Sequence, residues 1–403
     1  MIQMALGVPV LLVSAACHKP ADNTLPSADA TSIAAMASEN GANPDETAIA
    51  AFSAAAGQTS TDAAARNPSE HYVYTESNEA GTNRILVYRI LPGGSLRFES
   101  SVASGGAGTG AALGSQGALA LDGEGWLYAV NAGSGSVSSF RIGSGGRLTL
   151  WATVPSGGAG PNSLTVHNHL LYVLNHGSDQ IAGFRVSGGK MKALENATRS
   201  LSGTGVDAPQ ISFTPDGRWL MVTEKATNTL TTFLVTAGGE PGAGIFTPSA
   251  AATPFGFAFS RDFAIVSNAA GGAALAGSAT SYRIGPGGMP TAINGSVADG
   301  ASAPCWFAVT QFGRFAYTTN AGSNTISSYY VAPRGALYLV HSEAAATGVK
   351  PLDIVVAANN YFVFELNAAS HTIGSYHREA LGGLAYIDAT GDLPESATGL
   401  ATF

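Results

Sequence analysis

Seven positions with oxygen-bearing side chains recur at matched places in the chain: Glu76, Asn131, Asn175, Glu224, Asn268, Asn320 and Glu365. Each ends a short run of alternating apolar and polar residues. If the runs are strands around one axis, these side chains form a ring at one mouth of a central channel. Three carboxylates among amides could then hold a divalent cation, because hard cations take oxygen ligands; Glu76, Glu224 and Glu365 are the residues of that metal alternative. Asn and Glu at strand ends also commonly bond the backbone of the next turn, and that reading needs no metal or other cofactor. His176 follows Asn175 and could serve there as a general base. Lys225 follows Glu224 and could bind an anionic substrate or only a neighbouring carboxylate. Phe255 and Trp306 fall where they would make the mouth aromatic, a surface on which sugar rings and small apolar ligands stack.

The elements that must position these residues form a repeat. Its second and third strands read Leu127-Tyr-Ala-Val-Asn131 to Val137-Ser-Ser-Phe140, then Leu171-Tyr-Val-Leu-Asn175 to Ile181-Ala-Gly-Phe184, and so on to Tyr361-Phe-Val-Phe-Glu365 and Ile373-Gly-Ser-Tyr376. There are seven copies, spaced roughly every 50 residues, the spacing of propeller blades. Period-2 alternation between Gly, Asn and Asp turns makes antiparallel strands. A four-stranded blade cannot cover both faces alone, whereas blades stacked around an axis can. The spacing predicts an all-β, seven-bladed propeller over residues 71–403. The first copy lacks its innermost strand, and Ala397-Thr-Gly-Leu-Ala-Thr-Phe403 has the pattern of that strand. Ring closure by the C-terminal strand joining the N-terminal blade is therefore expected.

Composition agrees with one large β-domain. There are 51 glycines and 45% hydrophobic residues, with only 11% charged against roughly 25% in ordinary soluble proteins. The net charge of -8 disfavours nucleic acid, whose phosphates need a basic surface. Residues 4–16 are apolar or small and precede Cys17, with Ser14-Ala15-Ala16 just before it. That pattern resembles a bacterial lipoprotein signal, so residues 1–17 are expected to direct export, with Cys17 a candidate lipidation site. Residues 18–70, rich in Ala, Ser and Thr and almost free of aromatics, read as a spacer. The expected location is the periplasm or cell envelope, with membrane contact only through the lipid. Cys305 is then a lone thiol, expected to behave as a small apolar side chain. The glycine-rich stretch 104–115 reads as a connection between blades. No Gly-x-Ser-x-Gly nucleophile motif and no phosphate-binding Gly-x4-Gly-Lys motif occurs.

Four segments, Phe213-Thr-Pro-Asp-Gly-Arg218, Val222-Thr-Glu-Lys-Ala-Thr-Asn-Thr-Leu230, Phe312-Gly-Arg-Phe-Ala-Tyr-Thr-Thr-Asn320 and Tyr172-Val-Leu-Asn175, resemble the seven-bladed lactonase family, which includes bacterial 6-phosphogluconolactonases and fungal carboxymuconate-lactonizing enzymes. The resemblance spans about residues 71–403. It implies hydrolysis or closure of a small lactone by a His and an Arg just after the proline that opens a blade, with a Glu and an Arg just after the asparagine that ends a second strand. Arginines would hold carboxylate or phosphate, and His or Glu would move a proton. In this sequence the first column reads Asn162, Gln210, Phe255, Cys305 and Leu352, with Pro209 in place of Gln210 if the alignment slips by one. The second reads Ser77, Ala132, His176, Lys225, Ala269, Ala321 and Leu366. Neither holds the family's set as such. Two readings follow: an exported lactonase-like hydrolase of a small lactone or sugar-acid derivative, or a non-catalytic envelope propeller that binds a protein or small ligand. For the first, Glu224 and His176 are the catalytic candidates, and Asn162, Lys225, Gln210, Phe255 and Trp306 the substrate-binding ones.

Overall fold

The computed structural model describes residues 71–403; the expected signal, spacer and Cys17 lie outside the described residues. Seven four-stranded antiparallel sheets are arranged as blades. Blade 1 holds β1 (Tyr72–Glu76), β2 (Arg84–Ile90) and β3 (Leu96–Ala103). Blade 2 holds β4 (Leu119–Leu121), β5 (Trp126–Asn131), β6 (Ser136–Ile142) and β7 (Leu148–Pro155). Blade 3 holds β8 (Pro161–His167), β9 (Leu170–Asn175), β10 (Gln180–Ser187) and β11 (Lys190–Ser200). Blade 4 holds β12 (Gln210–Phe213), β13 (Trp219–Glu224), β14 (Thr229–Leu234) and β15 (Ile245–Pro248). Blade 5 holds β16 (Pro254–Ser260), β17 (Phe263–Asn268), β18 (Ser278–Ile284) and β19 (Pro290–Ala298). Blade 6 holds β20 (Pro304–Val309), β21 (Phe315–Asn320), β22 (Thr325–Val331) and β23 (Leu337–Ala346). Blade 7 holds β24 (Pro351–Val356), β25 (Phe362–Asn367), β26 (Thr372–Arg378) and β27 (Leu384–Thr390). The last strand, β28 (Thr398–Thr402), pairs antiparallel with β1 and completes blade 1 as expected.

The third-strand aromatic of each repeat forms the core between blades. Tyr88, Phe140, Phe184, Phe233, Tyr282, Tyr329 and Tyr376 are all buried. The Gly-Gly turns have a packing reason that the repeat pattern does not state. Gly146, at positive φ, sits flat on the Tyr72 ring of the preceding blade, and a Cβ there would lie 2.4 Å from that ring. Gly94 of blade 1 packs in the same way on Phe362 of blade 7, so the contact continues across the closure. A side chain at either turn would push neighbouring blades apart, and only glycine adopts that backbone freely.

Candidate functional site

Strand register decides which side chains share a level of the ring. Asn131, Asn175, Glu224, Asn268, Asn320 and Asn367 pair with the first residue of the third strand in their blades. In blade 1 that place belongs to Ser77, whose N–H donates to the Arg84 carbonyl. Glu76 pairs one step further in, opposite Ile85, and Glu365 two steps further in, opposite Gly374. Glu76, Glu224 and Glu365 therefore stand at three different levels. A one-residue slip moves a side chain to the other face of its sheet: Glu76 ends β1 one step short of the level the other blades share, while Glu365 stands two residues before Asn367, the end of β25.

The three glutamates are fully buried and separately housed. Glu76 accepts from Asn83 Nδ2 at 3.2 Å, and burial holds its carboxyl well above the usual range. Glu365 accepts from Asn367 Nδ2 at 2.8 Å and from the Tyr376 hydroxyl at 3.0 Å; burial pushes it up to about 7. Glu224 accepts from the Ser202 N–H at 3.2 Å, the Thr231 hydroxyl at 2.5 Å, the Thr227 hydroxyl at 2.9 Å and the Ser202 hydroxyl. It ties the approach to β12 onto its own blade and has no solvent exposure. Among the described residues, no three His, Cys, Asp or Glu side chains are grouped so as to hold a metal ion. The asparagines at this level grip hydroxyls of the third strand: Asn320 Nδ2 donates to Thr325 and Ser327, and Asn268 Nδ2 to Ser278 and Thr280.

One residue beyond that level, the backbone N–H donates to the carbonyl of a left-handed residue just before an inner strand. The pairs are His176 with Gly160, Lys225 with Asp207, Ala269 with Thr253, Ala321 with Ala303 and Ala368 with Lys350. In blade 7 the matched residue is therefore Ala368 rather than Leu366, and in blade 1 it is Asn78 rather than Ser77. Asp207 was not singled out by the repeat. Its signal is its place, before Ala208-Pro209, where the other blades carry Gly160, Thr253, Ala303 or Lys350 ahead of a proline.

His176, Asp207 and Lys225 meet there. Lys225 Nζ lies 3.1 Å from Asp207 Oδ2, and His176 Nδ1 lies 3.9 Å from Asp207 Oδ1. Lys225 also stands 4.5 Å above the centre of the Phe255 ring, which is 5.0 Å from Trp306. His176 and Asp207 are about half exposed (44% and 50%), while Lys225 keeps only 16%. The arrangement offers a solvent-facing imidazole beside a carboxylate, and a cation held over an aromatic floor. Cys305 lies below, and burial pushes its thiol up to about 12. A thiol so shifted is a poor nucleophile at neutral pH.

The remaining candidates knit the blades together. Gln210 pairs with Thr223, so Pro209 takes the place shared by Asn162, Phe255, Cys305 and Leu352. Gln210 bridges to Phe257 of the next blade in both directions, at 2.8 and 2.6 Å. Asn162 Nδ2 donates to the Ala208 carbonyl at 2.9 Å, and the Trp306 indole N–H to the Ser115 carbonyl at 2.8 Å. Similar clamps join other blades along the channel. The Ile211 N–H donates to Ser163 Oγ, the Phe257 N–H to Gln210 Oε1 and the Leu400 N–H to Asp353 Oδ2. Blade 5 has only Gly256 at this level, and Gln116 reaches across from blade 2 to accept the Phe307 N–H instead. A Cβ on Gly256 would lie 2.3 Å from Gln116 Oε1.

The family described as "Lactonase, 7-bladed beta-propeller" matches residues 108–397, and the chain belongs to that family. None of the curated proteins compared with it matches. Among solved structures it is similar to a putative 6-phosphogluconolactonase of Bacteroides fragilis, at 19% identity and TM-score 0.67, over 83% of this chain and 98% of the other. A protein of Lactobacillus plantarum matches at 18% identity and TM-score 0.68, over 83% and 99%. The periplasmic gluconolactonase of Pseudomonas aeruginosa matches at 18% identity and TM-score 0.63, over 83% and 98%. Identities this low establish a common fold.

Proposed function

We propose that this propeller hydrolyses a small lactone or sugar-acid derivative at the channel mouth. The observation that carries the reading is the meeting of His176, Asp207 and Lys225 over the Phe255–Trp306 floor. His176 takes a proton from water as the water oxygen attacks the lactone carbonyl. The ring C–O bond then breaks and the proton passes to the departing alkoxide, leaving a hydroxy acid. Asp207, 3.9 Å from the ring, favours the imidazolium that forms, and Lys225 attracts the negative charge that develops on the carbonyl oxygen or that the substrate carries. Family membership supports the lactone class, as do two neighbours named as a putative 6-phosphogluconolactonase and a gluconolactonase. The base and the cation differ from the His, Arg and Glu set that the resemblance implied, so the chemistry is this chain's own variant.

On a panel of purified aldonolactones, His176→Ala is expected to lower kcat about 100-fold, and Lys225→Met to raise KM more than it lowers kcat. Absence of turnover with every lactone of the panel would overturn the reading. One observation favours a non-catalytic envelope propeller instead: the polar atoms of Gln210 and Trp306, and the Asn162 amide nitrogen, are taken up by neighbouring blades. In that case the mouth substitutions abolish capture of a ligand or envelope protein while no lactone is turned over.

Export with a lipid on Cys17 completes the proposal. It rests on the leader pattern, and the neighbour named as a periplasmic gluconolactonase is compatible with it. Cell fractionation tests the anchor: the parent chain sediments with membranes, and Cys17→Ser does not. Equal sedimentation of both would remove the lipid from the account.

A further inference from the structure

The two ends of the propeller differ in charge, although the chain as a whole carries -8. Inner strands leave the mouth and second strands return to it, so the turns between them lie at the far end. The turns between third and fourth strands lie there too. In blades 5 and 6 that far end holds exposed Arg261, Arg283, Arg314 and Arg334 against Asp262 alone. The other blades mix further cations, Arg147, Lys190 and Arg218 among them, with Glu124, Asp216, Glu240 and Glu379. The connections at the mouth carry the opposite sign, with Glu79, Asp179, Asp207, Asp392 and Glu395 against Lys225 and Lys350.

An apolar strip adjoins the basic sector. Phe312, Tyr361 and Phe403 are 72%, 53% and 40% exposed and stand at the far end of blades 6, 7 and 1. Bonds between the turns make sector and strip continuous. Arg261 Nη2 donates to the Gly313 carbonyl at 2.9 Å, the Gln311 N–H to Asn360 Oδ1 at 3.1 Å, and the Thr402 hydroxyl to the Val356 carbonyl at 3.4 Å. Single exposed apolar side chains need no explanation, but a row of them beside arginines has the chemistry of a membrane interface. Aromatic rings sit at headgroup level there, and cations meet lipid phosphates. The chain also joins the propeller at this end: the Ile90 N–H donates to the His71 carbonyl and the Tyr72 N–H to the Phe403 carbonyl. The leader pattern and Cys17 are therefore tethered to the fold from this face.

We propose that the face opposite the mouth rests on an anionic phospholipid membrane, with Phe312, Tyr361 and Phe403 at headgroup depth and Arg261, Arg314 and Arg334 on the lipid phosphates. Guanidinium forks match phosphate geometry. The mouth, with His176 and Lys225, then points away from the bilayer, and its acidic connections are kept from the anionic surface. The proposal rests neither on lactone turnover nor on a lipid at Cys17.

Vesicle co-sedimentation tests this with the full chain carrying Cys17→Ser, so that no lipid anchor contributes. The probes are vesicles of phosphatidylcholine alone and of equal parts phosphatidylcholine and phosphatidylglycerol. The chain is expected to bind the mixed vesicles at least about tenfold more tightly, and to release them as salt is raised. Arg314→Ser with Arg334→Ser is expected to lose about tenfold in binding to the mixed vesicles. Phe312→Ser with Tyr361→Ser is expected to lose about tenfold on the same vesicles while keeping the salt dependence. Thermal melts confirm that the variants fold, and Arg334→Glu replaces the first pair should it fail. Equal binding to both vesicles would overturn the proposal. So would binding unchanged in both sets of variants, the result if the apolar run of residues 4–16 alone inserts. Absence of binding to either vesicle, the result if the acidic residues ahead of His71 or a second copy cover the face, would overturn it as well.

Discussion

Deletion of residues 398–403 abolishes cooperative folding of the propeller. β28 supplies the inner strand of blade 1 through pairs such as Val73 with Thr402 and Glu76 with Thr398. It buries Leu400 and Ala401, and its Leu400 N–H caps Asp353 of blade 7. Losing Leu400 packing costs about 2–5 kcal/mol, and each orphaned buried hydrogen-bonding group costs about 1–3 kcal/mol more. The total matches the roughly 5–15 kcal/mol by which a domain is stable. It also leaves an open edge on β1, which templates association with other chains. Size-exclusion chromatography and thermal melting read the result: aggregation or a non-cooperative melt, against a single transition for the parent. Leu400→Ala is the graded form, expected to lose about 2–5 kcal/mol while remaining folded. A truncated chain that melts with an unchanged midpoint would show that the closure carries little of the stability.

Glu224→Ala loses roughly 3 kcal/mol or more of stability, whereas Glu224→Gln loses about 1 kcal/mol and keeps whatever turnover the parent has. Both expectations follow from the four donors gathered on the Glu224 carboxylate and from its complete burial. Alanine leaves the Ser202 N–H and the Thr231 hydroxyl without their acceptor. Glutamine retains one carbonyl oxygen, and its amide can donate to a hydroxyl that reorients. If Glu224 were the proton-transferring group, the pattern would invert: glutamine would keep stability and cost at least about 100-fold in kcat. Denaturant melts and lactone kinetics on the same two variants separate the outcomes. Loss of turnover in Glu224→Gln, with stability intact, would return Glu224 to the catalytic list and displace His176 as the favoured candidate.

The fold was legible because its rules are local and repeated. Alternation marks strands, the third-strand aromatic marks the core, and the strand from Thr398 to Thr402 had the pattern that blade 1 lacked. The candidate site was legible only in part. His176, Lys225, Phe255 and Trp306 were identified from their places in the repeat, and the structure brings them to one mouth. Glu76 and Glu365 were assigned to the same level as Glu224, and the ladder separates them. Asp207 was missed because a left-handed residue in a connection has no place in an alternating strand pattern.

Sequence by itself determined the number of blades, the strand order within them and the manner of closure, since each depends on side-chain type at a fixed local spacing. Tertiary structure decided which residues share a level and which atoms remain free for chemistry. Register across a ladder is set by paired backbone bonds, and a slip of one residue exchanges the two faces of a sheet. No local pattern shows that Gln116 would reach across the channel to fill the place left by Gly256. Nor does one show that Gln210 would be taken up in a clamp, or that Asp353 would accept the Leu400 N–H of blade 1. Those facts arise from residues far apart in the chain, and only the closed ring brings them within bonding distance.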